Sequence, residues 1–106
     1  IDGFMIQGGD FTNQDGTGVH AASFFGYFNG QVSEDASCSG AGQSAWTVPD
    51  EADNGRVHNA CTISMAKTSA PHTGGSQFFL IPEDSAPDWL DGVHTVFGSV
   101  TDGCEH

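Results

Sequence analysis

The sequence predicts a mainly β fold in a single domain, built from short strands joined by tight turns. Two observations carry this expectation. No window of the 106 residues repeats apolar side chains at i, i+3, i+4 and i+7 over a helix length. Fifteen glycines accompany eight phenylalanines, a composition that suits many turns around a few bulky anchors. At 37% hydrophobic, the chain can bury only a modest core, and a domain this small has little stability to spare.

The elements follow in order from local pattern. A first strand is expected over 4–8, leaving through the bend at Gly8-Gly9. Residues 13–18 are turn chemistry throughout. The stretch 19–45 is rich in Gly, Ser and Ala and reads as a long excursion, partly ordered by Phe24, Phe25, Tyr27 and Phe28 packing on the body. Trp46 to Val48 returns to extended backbone before Pro49, Asp50 and Glu51. Further strands are expected over 60–65, 77–81 and 95–100, the last ending at Asp102-Gly103. Between them lie a loop over 82–87 and one tight helical turn over 88–92. No internal repeat or linker divides the chain.

Charge restricts the partners. Fourteen acids face only Arg56 and Lys67, for a formal net charge of -12. Phosphate recognition needs clustered Lys and Arg, so nucleic acid is excluded as a partner, and an anionic membrane surface is disfavoured by the same sign. No apolar run approaches the about 20 residues that span a bilayer. The acids are dispersed from Asp2 to Glu105 rather than gathered in a tail. That pattern, almost without lysine, fits a halophilic protein, because self-repulsion is screened where the Debye length falls to about 3 Å at 1 M salt.

Cys38, Cys61 and Cys104 are odd in number and contain no C-x-x-C, which argues against a disulfide framework and a structural zinc site. Cys61 is expected to be a buried free thiol. Three unpaired cysteines favour a reducing, cytoplasmic setting.

Several chemistries fail on spacing. Asn13-x-Asp15-Gly16 resembles the middle of a calcium loop, yet Phe11 and Ala22 occupy the ligand positions at its two ends. Gly16-x-Gly18 lacks the third glycine and the following helix of a dinucleotide fingerprint. His20, His58, His72, His94 and His106 show no metal-ligand spacing, so neither a metal nor a cofactor is expected. Ser64 and Ser76 lack a G-x-S-x-G elbow, and nothing in the sequence selects His94 as the base for either.

What remains is Gln7, Gln77 and His94 set among Phe4, Met5, Phe79, Trp89 and Leu90, a combination that could make a pocket with an apolar floor and a polar rim. Ile6, Phe78 and Phe97 are expected to be core. Alternation puts Phe4 and Ile6 on one side of the first strand and Met5 and Gln7 on the other. Phe4 and Met5 can therefore share a pocket only if the strand twists or ends near them.

The phrases Gly3-Phe4-Met5-Ile6-Gln7-Gly8-Gly9-Asp10-Phe11-Thr12, Gly16-Thr17-Gly18, Pro49-Asp50-Glu51, Ser64-Met65-Ala66, Gly75-Ser76-Gln77-Phe78-Phe79 and Trp89-Leu90-Asp91-Gly92-x-His94-x-Val96-Phe97-Gly98-x-Val100 resemble the cyclophilin family of peptidyl-prolyl cis/trans isomerases. The resemblance covers most of the chain outside 19–45, which reads as an insertion. It implies the central part of an eight-stranded antiparallel β-barrel whose capping helices lie largely outside these residues. It also implies an apolar proline cup of Phe4, Met5, Phe79 and Leu90. Gln7 would hold a substrate carbonyl, with Gln77 and His94 at the edge. Phe4, Gln7, Phe79 and His94 are the implied catalytic set. Ala66 and the backbone at Lys67 would bind the residue before the proline, with Gly16 and Thr17 bordering the neighbouring groove. Trp89 matches the tryptophan that also contacts cyclosporin-type ligands.

The implied partners are proline-containing peptides and folding proteins, and the expected state is a monomer. The family's arginine would fall two residues before Ile1, so the chain is expected to be truncated at both ends and weak or inactive alone. The alternative expectation is a non-catalytic proline-peptide-binding module. Lys67 stands where the family usually has asparagine, and the 67–75 stretch is one residue longer than in compact members. The halophilic reading has a direct consequence: the melting temperature should fall on transfer from molar to low salt, and a melting temperature independent of salt contradicts it.

Overall fold

A computed structural model describes residues 1–34 and 46–106. It is mainly β, with seven short strands in two antiparallel sheets among these described residues. The strands are β1 (Ile6–Gly8), β2 (Tyr27–Phe28), β3 (Gln31–Val32), β4 (Trp46–Thr47), β5 (Thr62–Met65), β6 (Phe78–Leu80) and β7 (Val96–Ser99). One sheet runs β1-β6-β5-β7 and the other β3-β2-β4. A bridge between Val48 and Gly74 joins the extended backbone after β4 to the loop before β6. Among the described residues the strands do not close into a barrel.

Register in the larger sheet is specific. Gln7 pairs with Phe79, and Phe79 pairs with Ser64, so one rung crosses three strands. Directly paired residues share a face, and successive residues alternate. Phe79, Ser64, Thr62 and Val96 therefore turn inward together and are buried, and Ile81 lies beneath them. A register shift between Ile63 and Ser64 in the β5–β7 pairing marks a bulge.

The same alternation corrects two expectations. Ile6 and Phe97 are 61% and 53% exposed rather than core, because Val96 takes the buried position of β7 and the other face of β1 carries Gln7, which is exposed and turned to the cavity. Phe78 is half-buried, lying over Gly8 and Gly9. The 19–45 stretch holds more order than a loop. Phe28-Asn29-Gly30-Gln31 turns β2 into β3, with Asn29 at φ 50° and Gly30 at φ 82°, the left-handed pair of a tight hairpin. Residues 35–45, with Cys38, fall outside the described residues.

Cys61 is not a free thiol. It is disulfide-bonded to Cys104, with Cα atoms 5.8 Å apart, tying the start of β5 to the segment after β7. The partners are 43 residues apart, and only the pairing of β5 with β7 brings them together. A disulfide suits an oxidising setting, so the cysteines no longer argue for a reducing one. On chain-entropy grounds, closing a loop of 43 residues is worth up to about 4 kcal/mol. Reduction or Cys104→Ala should therefore lower the denaturation midpoint clearly, and an unchanged midpoint contradicts a role for the bond in the fold.

Candidate active site

The strand expected to begin at residue 4 begins at Ile6, and this decides the geometry of the cup. Residues 1–5 form a turn in which the N–H groups of Phe4 and Met5 both donate to the Ile1 carbonyl, at 3.0 and 3.1 Å. Outside the pleat, Phe4 and Met5 are freed from alternation and line the same cavity. That cavity, of about 240 Å³, has Phe79 as its floor and Leu90 on its wall. Leu90 is supplied by a 3₁₀ turn over Asp88–Leu90, which stops before Gly92 at φ 74°.

The polar rim is built from a relay of amides. Gln77 is buried, and its Nε2 donates to the carbonyls of Gly16 and Gly18. Its Oε1 therefore faces Gln7, whose Nε2 donates to it at 2.8 Å. Gln77 is thus spent on positioning. Gln7 keeps a second N–H and a carbonyl oxygen without a partner among the described residues.

The loop carrying Gly16 and Gly18 is organised by one carboxylate. Asp10 accepts from the N–H groups of Thr12, Asn13, Asp15, Gly16 and Gly18, at 3.0, 2.9, 3.3, 2.9 and 3.1 Å. The Asn13 N–H foremost, with the others, holds its carboxyl well below the usual carboxylate range. Gly75 packs so closely against the 18–19 backbone that a Cβ would stand 2.7 Å from the Val19 carbonyl oxygen.

On the facing side, the Ala66 N–H donates to the Gln77 carbonyl at 3.0 Å. The Ala66 carbonyl and the Lys67 N–H have no backbone partner among the described residues, so an extended peptide could pair with them. The Lys67 ammonium turns away, to Asp50 Oδ2 at 3.0 Å and the Ala70 carbonyl at 3.3 Å. His94 bonds the Met65 carbonyl through Nδ1 at 3.0 Å. A carbonyl can only accept, so Nδ1 carries the proton and Nε2 is the atom left for the cup.

Phe4, Met5, Gln7, Gly16, Ala66, Lys67, Gln77, Phe79, Leu90 and His94 all line this cavity. Thr17 and Trp89 do not. The Thr17 hydroxyl is committed to Asp15 at 2.6 Å and to Asn13 at 2.9 Å, within its own loop. Trp89 is 67% exposed and lies against the outer side of Phe4, with ring centroids 5.7 Å apart. Sequence reasoning missed Gly18, Val19, Thr68, Thr73 and Gly75 on the lining. It also missed a buried group behind the floor, His58 between Asp91 and Ser64. These three fall in a Ser-His-Asp order, but Ser64 is fully buried and sealed off as a nucleophile.

Comparison with known proteins decides the family. Residues 1–106 match the family model for cyclophilin type peptidyl-prolyl cis-trans isomerase/CLD. The chain belongs to the cyclophilin family. It is also similar to peptidyl-prolyl cis-trans isomerase B of Saccharomyces cerevisiae, at 39% identity over 105 residues, covering 99% of this chain and 40% of that protein. The chain thus spans about 40% of the length of that relative.

Protonation of the cyclophilin cup follows from burial. Burial pushes the His94 imidazole below its ordinary value of 6.5, against a weaker upward pull from the Met65 carbonyl. As pH falls below about 6.5 the unfolded chain takes up this proton before the folded one does, so stability falls until the depressed folded value is passed. Asp91 acts in a separate, more acidic window. The His58 backbone N–H, then its ring, hold its carboxyl below 3.8, and stability is lost as pH falls through that region. His94→Gln should remove the first segment of a stability–pH curve and leave the second. A curve unchanged between pH 6.5 and 5 contradicts the assignment to His94.

Proposed function

We propose that this chain carries the proline-binding surface of a peptidyl-prolyl cis/trans isomerase that acts on X-Pro segments of folding proteins. The observation that carries the reading is the cup itself. Phe79 forms a dry floor, the Gln7–Gln77 amide pair stands on one rim, and an uncharged His94 stands on another. An X-Pro bond has a rotation barrier of about 18–20 kcal/mol, and no covalent bond breaks as it turns. The enzyme need only bind the twisted amide better than either planar form. An apolar floor disfavours the charge-separated resonance form that keeps the amide planar. The free N–H of Gln7 can grip the carbonyl as it swings, while Ala66 and Lys67 hold the preceding residue by backbone pairing.

A donor aimed at the proline nitrogen would add the remaining electrostatic help. Among the described residues the cup holds no guanidinium, since Arg56 is exposed on the segment leading to β5. The second reading is a module that binds proline peptides without turning them over. In either case the exposed Trp89 offers its indole to cyclosporin-type ligands at the rim, the dispersed acids suit concentrated salt, and the protein acts as a monomer.

An isomerisation assay on a proline tetrapeptide separates these readings. It compares the 106-residue chain with a form extended upstream to place arginine two residues before Ile1. The enzyme reading expects a rate above background in the extended form, and no such rate leaves only the binder. Phe79→Ala should abolish peptide binding in both forms, at a folding cost of about 3–5 kcal/mol. The half-buried Phe4→Ala should weaken binding at lower cost to folding. Binding unaffected by either substitution shows that the proline does not sit in this cup.

A further inference from the structure

The group behind the floor has no part in the mechanism above, yet His58 is buried and hydrogen-bonded on both sides of its ring. His58 is 2% exposed and does not line the cavity. Its ring lies parallel to Phe79, at 7° and 5.8 Å between centroids, while His94 meets the same Phe79 edge-on at 80° and 5.6 Å. Asp91 Oδ1 accepts from both the backbone N–H and the Nδ1–H of His58, each at 2.7 Å. On the opposite side of the ring, Nε2 lies 2.8 Å from Ser64 Oγ, which is itself 3.1 Å from the Thr95 carbonyl.

Asp91 accepts, so Nδ1 of His58 carries a proton. The Ser64 hydroxyl bridges His58 Nε2 and the Thr95 carbonyl, which also accepts from the Met65 N–H at 2.9 Å. Every buried polar atom of the cluster therefore has a partner. The titratable groups facing His58 are Asp91 and His94, and Lys67 and Asp50 act on His94 from further away.

We propose that His58 is a positioning residue for the proline cup, a plate locked between Asp91 and Ser64 that fixes the orientation of Phe79. The plate and its two locks come from three parts of the chain: His58 from the segment before β5, Ser64 from β5 itself, and Asp91 from the turn that also supplies Leu90. The plate therefore couples the floor of the cup to its wall. The inference rests on the proline-binding reading above.

The test uses the whole chain, with a proline tetrapeptide as probe and the Phe79 ring signals followed by NMR. In Asp91→Ala, His58 loses the acceptor for both of its N–H groups. The Phe79 signals should shift or broaden, and the peptide should bind about tenfold more weakly. In Asp91→Asn the amide oxygen still accepts, so the signals and most of the affinity should return. Should Asp91→Ala fail to fold, Ser64→Ala, which removes one lock and leaves the ring, is expected to shift the Phe79 signals in the same sense. Phe79 signals unchanged in a folded Asp91→Ala or Ser64→Ala protein overturn the proposal, as does an affinity that Asp91→Asn fails to recover. A wild-type chain that does not bind the peptide counts against the proline-binding reading alone, since the Phe79 signals still report whether His58 sets the ring.

Discussion

Everything about the site depends on the pairing of β6 between β1 and β5. That pairing sets Gln7, Phe79 and Ser64 on one rung, with Phe79 and Ser64 buried and Gln7 exposed at its end. A slip of one residue in β6 would turn Phe79 outward and bring Phe78 or Leu80 to the floor. The rung explains how an apolar floor comes to have a polar neighbour on each side. Gln7 points to the rim, and Ser64 is buried behind the floor, where His58 and the Thr95 carbonyl satisfy it.

Around that rung, fixed polar groups hold the mobile-looking parts of the sequence in place. Asp10 gathers five N–H groups and shapes the 10–18 loop, and Gln77 then ties two carbonyls of that loop to β6. Lys67 does comparable work on the other wall, where its ammonium and the His72 N–H both meet Asp50 Oδ2. Lys67 lines the cup but its ammonium is turned away to Asp50, and Arg56 is exposed on the segment before β5, so the cup presents amides, a neutral imidazole and apolar surface. On the proposed function, that suits a reaction in which no charge is transferred and the substrate's own resonance is the barrier.

Much of this was legible in the sequence because it is written in short local phrases. Runs such as Gln77-Phe78-Phe79 and Trp89-Leu90-Asp91 place floor, rim and wall without any knowledge of long-range pairing. Where the sequence misled, the deciding physics was non-local. Which face of β1 and β7 turns inward depends on neighbouring strands, so Ile6 and Phe97 looked like core and are exposed. Cys61 and Cys104 meet only through the pairing of β5 with β7, and no spacing rule reveals it. His58 shows nothing in its local sequence of its partners Asp91 and Ser64. The β2–β3 hairpin is a different case: Asn29-Gly30 is a strong local turn signal, and the surrounding glycine- and serine-rich composition obscured it.

The central claim is that a proline ring rests on Phe79 within the cup. Intermolecular NMR contacts between a proline tetrapeptide and this chain test it most directly. Contacts from the proline ring protons to Phe79, Met5 and Leu90 are expected. Contacts confined to the outer face, at Ile6 and Phe97, or bound peptide with no contact to Phe79, would contradict it.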